Sequence, residues 1–295
     1  MIDKMDLRST ILITGGGGLL GSKLATTLSD KYKTFTTYNT HTIGLRNSCS
    51  FYLDITNKKE VQKLIRELSP DVIIHTAALT DVDYCETNKK DAWSVNVEGT
   101  GNIAEASKRA DSKFVYISTD YVFNGREGLY KEDDQPNPIN YYGKTKLEGE
   151  KLVQKLDDHI IARTSVLYGW HSKLNFVTWI IQELKQEHRI DIVKDQFNSP
   201  TLADDLVDMI LKLIETEKEG IFHVSGSERI SRYDFAKKIA GIFELDANLI
   251  NPITSDELNW IAKRPLDSSL DVSKISIIKR PLNIEEGLKK MKVRK

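Results

Sequence analysis

Tyr142 and Lys146 stand four residues apart in the run Tyr142-Gly143-Lys144-Thr145-Lys146. On a helix that spacing projects both side chains from one face. A phenol titrates at about 10, and a neighbouring ammonium lowers that value. Such a pair can pass a proton to or from a substrate oxygen near neutral pH. Upstream, Ser118-Thr119-Asp120 closes an apolar run. A hydroxyl at that edge of a parallel sheet faces a bound cofactor and can hydrogen-bond a carbonyl. Taken singly, a Y-x-x-x-K pair is more often a surface pair, and a strand-end threonine is more often a cap. The chemistry needs both in one place, so the elements that carry them decide the matter.

The N-terminal elements supply a second chemical signal. Gly15, Gly18 and Gly21 make a GxxGxxG spacing within Gly15-Gly16-Gly17-Gly18-Leu19-Leu20-Gly21. The spacing predicts a strand over Thr10 to Thr14 before it and a helix over Leu19 to Leu28 after it. In that context the loop fits a dinucleotide pyrophosphate. Glycine permits positive φ and close backbone approach, and the helix start offers free N–H groups and a positive dipole end to the anion. An NAD site normally ends its second strand on an acid that binds the ribose 2′-hydroxyl. Here the segment is Tyr38-Asn39-Thr40-His41, and the next cation is Arg46. A missing acid removes repulsion against a 2′-phosphate, which points to NADP, with NAD as the alternative. His41 and Arg46 are equally readable as plain loop residues.

Strand and helix signals alternate through the first half. Strands are expected over Thr34 to Tyr38, Ser50 to Leu53, Val72 to His75, Lys113 to Thr119 and Ile160 to Thr164. Val61, Leu64, Ile65 and Leu68 have amphipathic helical spacing. Asp91 to Arg109 reads as one long helix, and Tyr142 to Leu156 as another. This rhythm implies an α/β fold, a doubly wound parallel sheet with helices on both faces. Residues 1–165 are read as a dinucleotide-binding domain. From Val166 the rhythm loosens. Residues 166–295 are read mainly as a smaller C-terminal α/β substrate domain, with some segments returning to the sheet.

Composition narrows the class. Lys plus Arg number 42 against 43 Asp plus Glu, a net charge of −1, which argues against a broadly basic nucleic-acid surface. Two cysteines, Cys49 and Cys85, form no CxxC, so neither a zinc cluster nor a disulfide scaffold is expected. No stretch approaches the roughly 20 apolar residues of a membrane span. No export signal follows Met1, and a cytoplasmic location is expected. The basic end, Lys289 to Lys295, reads most simply as cations at a helix C-terminus.

As an ordered set, the motifs resemble the extended short-chain dehydrogenase/reductase family over essentially the whole chain. They are Thr14-Gly15-x-x-Gly18-x-x-Gly21, Asp54-Ile55, Ala77-Ala78, Asn96-Val97-x-Gly99-Thr100, Ser118-Thr119-Asp120 and Tyr142-x-x-x-Lys146. Within that family the chain is most similar to the dTDP-4-dehydrorhamnose reductases. The similarity lies in Ala78 to Glu86, Ser118 to Gly125, Tyr142 to Glu150, Arg163 to Gly169, Asp195 to Thr201, Arg264-Pro265 and Leu270-Asp271. Where many members carry a glycine before Pro-Thr, this chain has Asn198-Ser199, a departure that bears on the loop over the sugar.

The resemblance implies a Rossmann-type fold and NADPH-dependent reduction of the 4-keto group of a nucleotide-linked 6-deoxysugar. Thr119, Tyr142 and Lys146 would be catalytic: Thr119 orients the ketone, Tyr142 protonates the alkoxide, and Lys146 lowers the Tyr142 pKa and holds the nicotinamide ribose. The cofactor would lie against Gly15, Gly18, Leu19, Leu20, Asn39, Asp54, Ile55, Ala77, Ala78 and Asn96, besides Tyr142 and Lys146. Asn96 is equally read as purely structural. Val166, Tyr168, Gln196, Thr201 and Arg264 would face the substrate. Val166 and Tyr168 are equally readable as core, and Trp170 and Trp260 as pocket walls. Some such reductases use magnesium and many are dimers, but no metal-ligand spacing or interface is legible in this sequence. Two other readings stay open. The regulatory subunit of methionine adenosyltransferase is a non-catalytic relative, and the segments Gly220 to Glu228 and Asn251 to Thr254 are similar to it. Epimerases and dehydratases of nucleotide sugars belong to the same superfamily, and dehydratases usually add an acid beside the threonine, where this chain has Asp120.

Overall fold

The computed structural model describes residues 9–40 and 49–293. The chain runs β1 (Thr10–Thr14), α1 (Leu19–Leu28), β2 (Lys33–Tyr38), β3 (Cys49–Tyr52), α2 (Lys58–Leu68), β4 (Val72–His75), α3 (Val82–Thr87), α4 (Lys89–Trp93), α5 (Thr100–Arg109), β5 (Lys113–Thr119), α6 (Tyr141–Val153) and β6 (His159–Thr164). It continues through β7 (Leu167–Tyr168), α7 (Phe176–Lys185), β8 (Ile190–Val193), β9 (Phe197–Asn198), β10 (Thr201–Leu202), α8 (Ala203–Glu215), β11 (Gly220–His223), β12 (Ile230–Ser231), α9 (Arg232–Phe243), β13 (Ile250–Ile253), α10 (Ser273–Ser276) and α11 (Ile284–Val293).

Seven parallel strands form the main sheet in the order β11-β6-β5-β4-β1-β2-β3. The order reverses between β1 and β4, which opens a crevice beyond the carboxyl ends of those strands. The strands are short apolar runs because both faces are covered. One face packs Leu20, Leu24 and Leu28 of α1 with Leu206, Val207 and Ile210 of α8. The other packs Val61 and Ile65 of α2 with Ile103 of α5 and Val153 of α6. A separate core joins Tyr168, Val177, Ile181, Phe235, Ile239 and Leu288 from α7, α9, α11 and their neighbours. Thus β11 and α8, far along the chain, serve the main sheet.

One element departs from the sequence expectation. The helix expected from Asp91 to Arg109 is broken by a π-helical stretch, Ser94–Gly99, between α4 and α5. The cause is Asn96, which is fully buried. Its Oδ1 accepts from the Leu79 N–H at 2.8 Å, and its Nδ2 donates to the Leu79 carbonyl at 3.0 Å and the Thr145 hydroxyl at 3.0 Å. The wide turn lets this side chain reach inward and clasp the segment after β4. Such bulges recur beside functional sites.

Candidate active site

The glycine loop follows β1 directly. Gly15 has φ +72°, and a Cβ there would lie 2.8 Å from the Ala77 backbone, so the loop after β1 and the segment after β4 can meet only at glycine. Helix α1 starts at Gly18 with no side-chain cap, leaving its first N–H groups directed into the crevice.

Two cavities run from this loop. A 290 Å³ cavity is bounded by Gly15, Gly17, Gly18, Thr37, Tyr38, Asn39, Thr40, Leu53, Asp54, Ile55, Ala77 and Ala78, among others. A 440 Å³ cavity is bounded by Gly18, Leu19, Leu20, Thr119, Asp120, Tyr142, Lys146, Val166 and His171, among others. Of the residues expected at the cofactor, the structure therefore brings all but Asn96 to one of the two cavities. Asn96 stands behind the wall and holds Leu79. Among the described residues no carboxylate at the end of β2 lines the first cavity, and its glycine cradle fits a dinucleotide. His41 and Arg46 lie outside the described residues.

Helix α6 is set by its first turn. The Asn140 carboxamide caps the Gly143 N–H at 2.8 Å and donates to the Lys263 carbonyl at 2.9 Å. The Glu86 carboxylate accepts from the Tyr141 N–H at 2.8 Å. A Cβ on Gly143 would sit 2.1 Å from the Tyr121 carbonyl oxygen, so α6 approaches the segment after β5 as closely as backbone allows. That approach seats Tyr142 beside Thr119 and places its ring edge-on to Tyr121, centroids 6.1 Å apart.

Burial pushes the half-buried Tyr142 phenol above its ordinary range, and a hydrogen bond with the Thr119 side chain pulls it back. Thr119, rather than Lys146, is thus the main influence opposing burial. The buried Lys146 ammonium sits over the Tyr116 ring, 4.1 Å from its centroid. Burial lowers its pKa to about 7, and the Glu150 carboxylate one turn further along α6 opposes that fall. Glu150 is in turn held by Arg163 and by the Ser118 hydroxyl at 2.5 Å. Asp120 is also buried. Its carboxylate accepts from Ser268 at 2.5 Å, Ser165 at 2.8 Å and Thr119 at 3.1 Å, tying β5 to the C-terminal half. Burial raises its pKa against those three bonds.

The residues expected at the substrate divide. Val166 lines the 440 Å³ cavity and has φ +41°, a conformation a β-branched side chain adopts only under strain. Tyr168 lies elsewhere: it is 1% exposed and packs on Phe235 in the C-terminal core. Thr201 is fully buried and donates to the Ser165 carbonyl at 2.8 Å. Gln196 is buried, its amide directed at the Pro265 carbonyl at 3.4 Å. None of these three lines the 440 Å³ cavity: Tyr168 is taken up by the C-terminal core, and Gln196 and Thr201 direct their polar atoms at the Pro265 and Ser165 carbonyls. Arg264 lines a separate 920 Å³ cleft with Arg126, Arg229, Lys263, Asp195 and Phe197. Its guanidinium is already paired with Asp83, at 2.6 and 2.9 Å, beside the Trp260 ring. Trp170 donates to the Met291 carbonyl at 2.8 Å and packs with the C-terminal core.

Glu150 was legible as the residue four beyond Lys146. The bonds of Asp120 to Ser165 and Ser268 had no local signal, since those partners are distant in sequence. No group of three His, Cys, Asp or Glu side chains able to hold a metal ion occurs among the described residues. No helix of theirs is long and apolar enough to cross a membrane.

A family model described as the RmlD substrate binding domain matches residues 9–293. The chain is 38% identical over 278 residues to a dTDP-4-dehydrorhamnose reductase of Aggregatibacter actinomycetemcomitans, covering 90% of this chain and 91% of the relative. It is 34% identical over 289 residues to methionine adenosyltransferase 2 subunit beta of Mus musculus, covering 91% and 82%. The crystal structure of dTDP-4-dehydrorhamnose reductase from Bacillus anthracis str. Ames in complex with NADP superposes with a TM-score of 0.89 at 36% identity, covering 98% of this chain and 100% of the other.

Proposed function

The chain belongs to the RmlD substrate binding domain family, and on that premise we propose that it is an NADP-dependent oxidoreductase that reduces the 4-keto group of a nucleotide-linked 6-deoxysugar, dTDP-4-dehydrorhamnose to dTDP-L-rhamnose. One observation carries the reading: a single cavity gathers Thr119, Tyr142, Lys146 and the open N-terminus of α1. The name and NADP complex of the Bacillus anthracis relative support both the substrate class and the cofactor.

When bound, NADPH supplies the hydride. The protein's own groups do the rest. The Thr119 hydroxyl orients the ketone oxygen. The Tyr142 phenol, kept protonated by burial, delivers its proton to that oxygen as the C4 alcohol forms. Lys146, whose charge Glu150 supports against burial, binds the nicotinamide ribose. Gly15, Gly18, Leu19 and Leu20 receive the pyrophosphate; Asn39, Asp54 and Ile55 surround the adenosine; Ala77 and Ala78 wall the groove. Val166 faces the sugar, and Arg264 marks the cleft that takes the nucleotide. Tyr168, Gln196, Thr201 and Asn96 support these walls from behind. A cytoplasmic homodimer acting in polysaccharide biosynthesis completes the reading.

Asp120 is engaged by three hydroxyls and is poorly placed to act as the free acid of a dehydratase. A second reading, a non-catalytic NADP-binding subunit, is favoured by the likeness to methionine adenosyltransferase 2 subunit beta. The deciding experiment follows NADPH absorbance with purified protein and dTDP-4-dehydrorhamnose generated in situ. Loss of absorbance with dTDP-rhamnose formed supports the reductase. NADPH binding without turnover moves the weight to the subunit reading.

A further inference from the structure

We propose that Lys173 is a cofactor-binding residue whose ammonium pairs with the pyrophosphate of the bound dinucleotide, reaching it from the side of the crevice opposite the glycine loop. The proposal rests on the dinucleotide reading of the two cavities and extends it to a residue of the second half of the chain.

The argument is one of position. The adenosine-side cavity extends from the glycine loop to Asn39 and Thr40, and the catalytic cavity from the same loop to Thr119 and Tyr142. Four residues line both: Gly18, Thr76, Ala78 and Lys173. A dinucleotide threading both cavities passes this junction at its middle, and its middle is the pyrophosphate. Gly18 supplies backbone on one side, at the start of α1. Lys173 is the only one of the four with a formal charge, and the charge is positive. A lysine binds phosphate as a compact point charge, with no need for a fixed fork geometry.

The segment that carries Lys173 is held in place. It connects β7 to α7. At one end Trp170 donates to the Met291 carbonyl at 2.8 Å. At the other, Asn175 caps α7 and donates to the Gly169 carbonyl at 2.7 Å. Between them the His171 Nδ1 accepts from the Lys173 N–H at 3.0 Å, while the same ring also bonds to the Gly17 carbonyl. One imidazole therefore bridges the glycine loop and the backbone of Lys173. The remaining charges nearby are accounted for: Asp54 accepts from the Thr56 N–H and hydroxyl, and Lys23 faces Asp204 at 3.5 Å. The Lys173 ammonium has no ion pair or hydrogen bond among the described residues, so a bound phosphate competes with none of their groups.

The test measures dissociation constants of NADPH and NADH for the full chain, by fluorescence of the bound reduced nicotinamide, in wild type, Lys173→Met and Lys173→Arg. Loss of one charge-assisted contact should weaken both dinucleotides in Lys173→Met by about tenfold and by the same factor. The dependence of affinity on salt should become shallower, and Lys173→Arg should stay within a few-fold of wild type. A loss confined to NADPH would overturn the pyrophosphate assignment and place Lys173 at the 2′-phosphate. Unchanged affinity for both would overturn the proposal altogether. A wild-type protein that bound neither dinucleotide would instead refute the dinucleotide reading itself, which separates the two failures.

Discussion

Glu150 and Arg163 form a two-pronged ion pair inside the molecule, one turn along α6 from Lys146, with Nε–Oε1 at 3.0 Å and Nη2–Oε2 at 2.8 Å. The side chains are 1% and 2% exposed. Taking two charges out of water is expensive, so the pair does not recommend itself as a source of stability. Its place is better explained by Lys146, whose charge Glu150 supports. The pair holds a carboxylate in the interior, one turn along α6 from the Lys146 ammonium.

Removing one member of the pair should therefore cost far more than removing both. Glu150→Leu strands Arg163 as a buried cation and should lower unfolding free energy by about 3–5 kcal/mol. Glu150→Leu with Arg163→Met should recover most of that loss in urea denaturation. Turnover should not recover with it, because Lys146 loses the carboxylate that opposes the fall of its pKa. A double variant as active as wild type would disprove this role for Glu150.

Tyr142→Phe keeps the ring and removes the proton. NADPH affinity should be nearly unchanged, while ketone reduction falls by about 10²–10⁴-fold. Steady-state kinetics beside a cofactor titration separate the two effects, and undiminished turnover would mean that another group protonates the product.

Gly143→Ala sets two magnitudes against each other. Alanine in a helix interior gains up to ~1 kcal/mol over glycine. The added Cβ, however, falls 2.1 Å from the Tyr121 carbonyl oxygen, which is backbone and has little freedom to yield. The clash should win and displace the first turn of α6. The expected outcome is a drop in kcat larger than any change in NADPH affinity, since the glycine loop is untouched.

Asn39→Asp places a carboxylate at the end of β2, where the adenosine-side cavity has none. NADPH should weaken relative to NADH by roughly tenfold or more through repulsion of the 2′-phosphate. An unaltered ratio of the two dissociation constants would place that phosphate away from Asn39.

Two buried histidines give stability a pH slope. Burial and the Lys146 charge lower His75 to about 3, and burial and Arg163 lower His223 to about 3. Both groups have folded values below the unfolded one, so the unfolded chain binds protons first as pH falls. Their stabilising effect is whole above pH 6.5 and is lost progressively toward pH 3. By pH 5 each should have cost about 2 kcal/mol. His75 is fully buried, bonded through Nδ1 to the Thr14 hydroxyl at 2.6 Å and through Nε2 to the Thr100 hydroxyl at 3.1 Å. Urea midpoints at pH 7 and pH 5 should differ less in His223→Gln than in wild type.

What the sequence determined by itself lies in short-range pattern. The strand–glycine–helix order of residues 10–28, the Tyr142–Lys146 spacing and the strand ending at Thr119 are local, and each is set by periodicity or by the conformations glycine allows. Together with the resemblance they carried the parallel sheet, the family and much of the lining of the two cavities. Only the tertiary structure decided which side chains are spent internally. Arg264 has the right chemistry for a diphosphate, yet its fork is closed on Asp83, 181 residues away in sequence. Tyr168 follows the cavity residue Leu167 in the chain but faces a core built by α7, α9 and α11, and Thr201 spends its hydroxyl on the Ser165 carbonyl. The break at Asn96 depends on Leu79 and Thr145, neither of which its own helix period reveals. Lys173 shows the converse. It occupies an ordinary polar loop in the sequence, and it becomes a candidate ligand only because His171 and the helix cap at Asn175 fold that loop across the junction of the two cavities. Hydrophobic periodicity reports which face of an element is buried. Which distant group meets a polar side chain on that face depends on how the elements pack, and one segment's pattern does not carry that information.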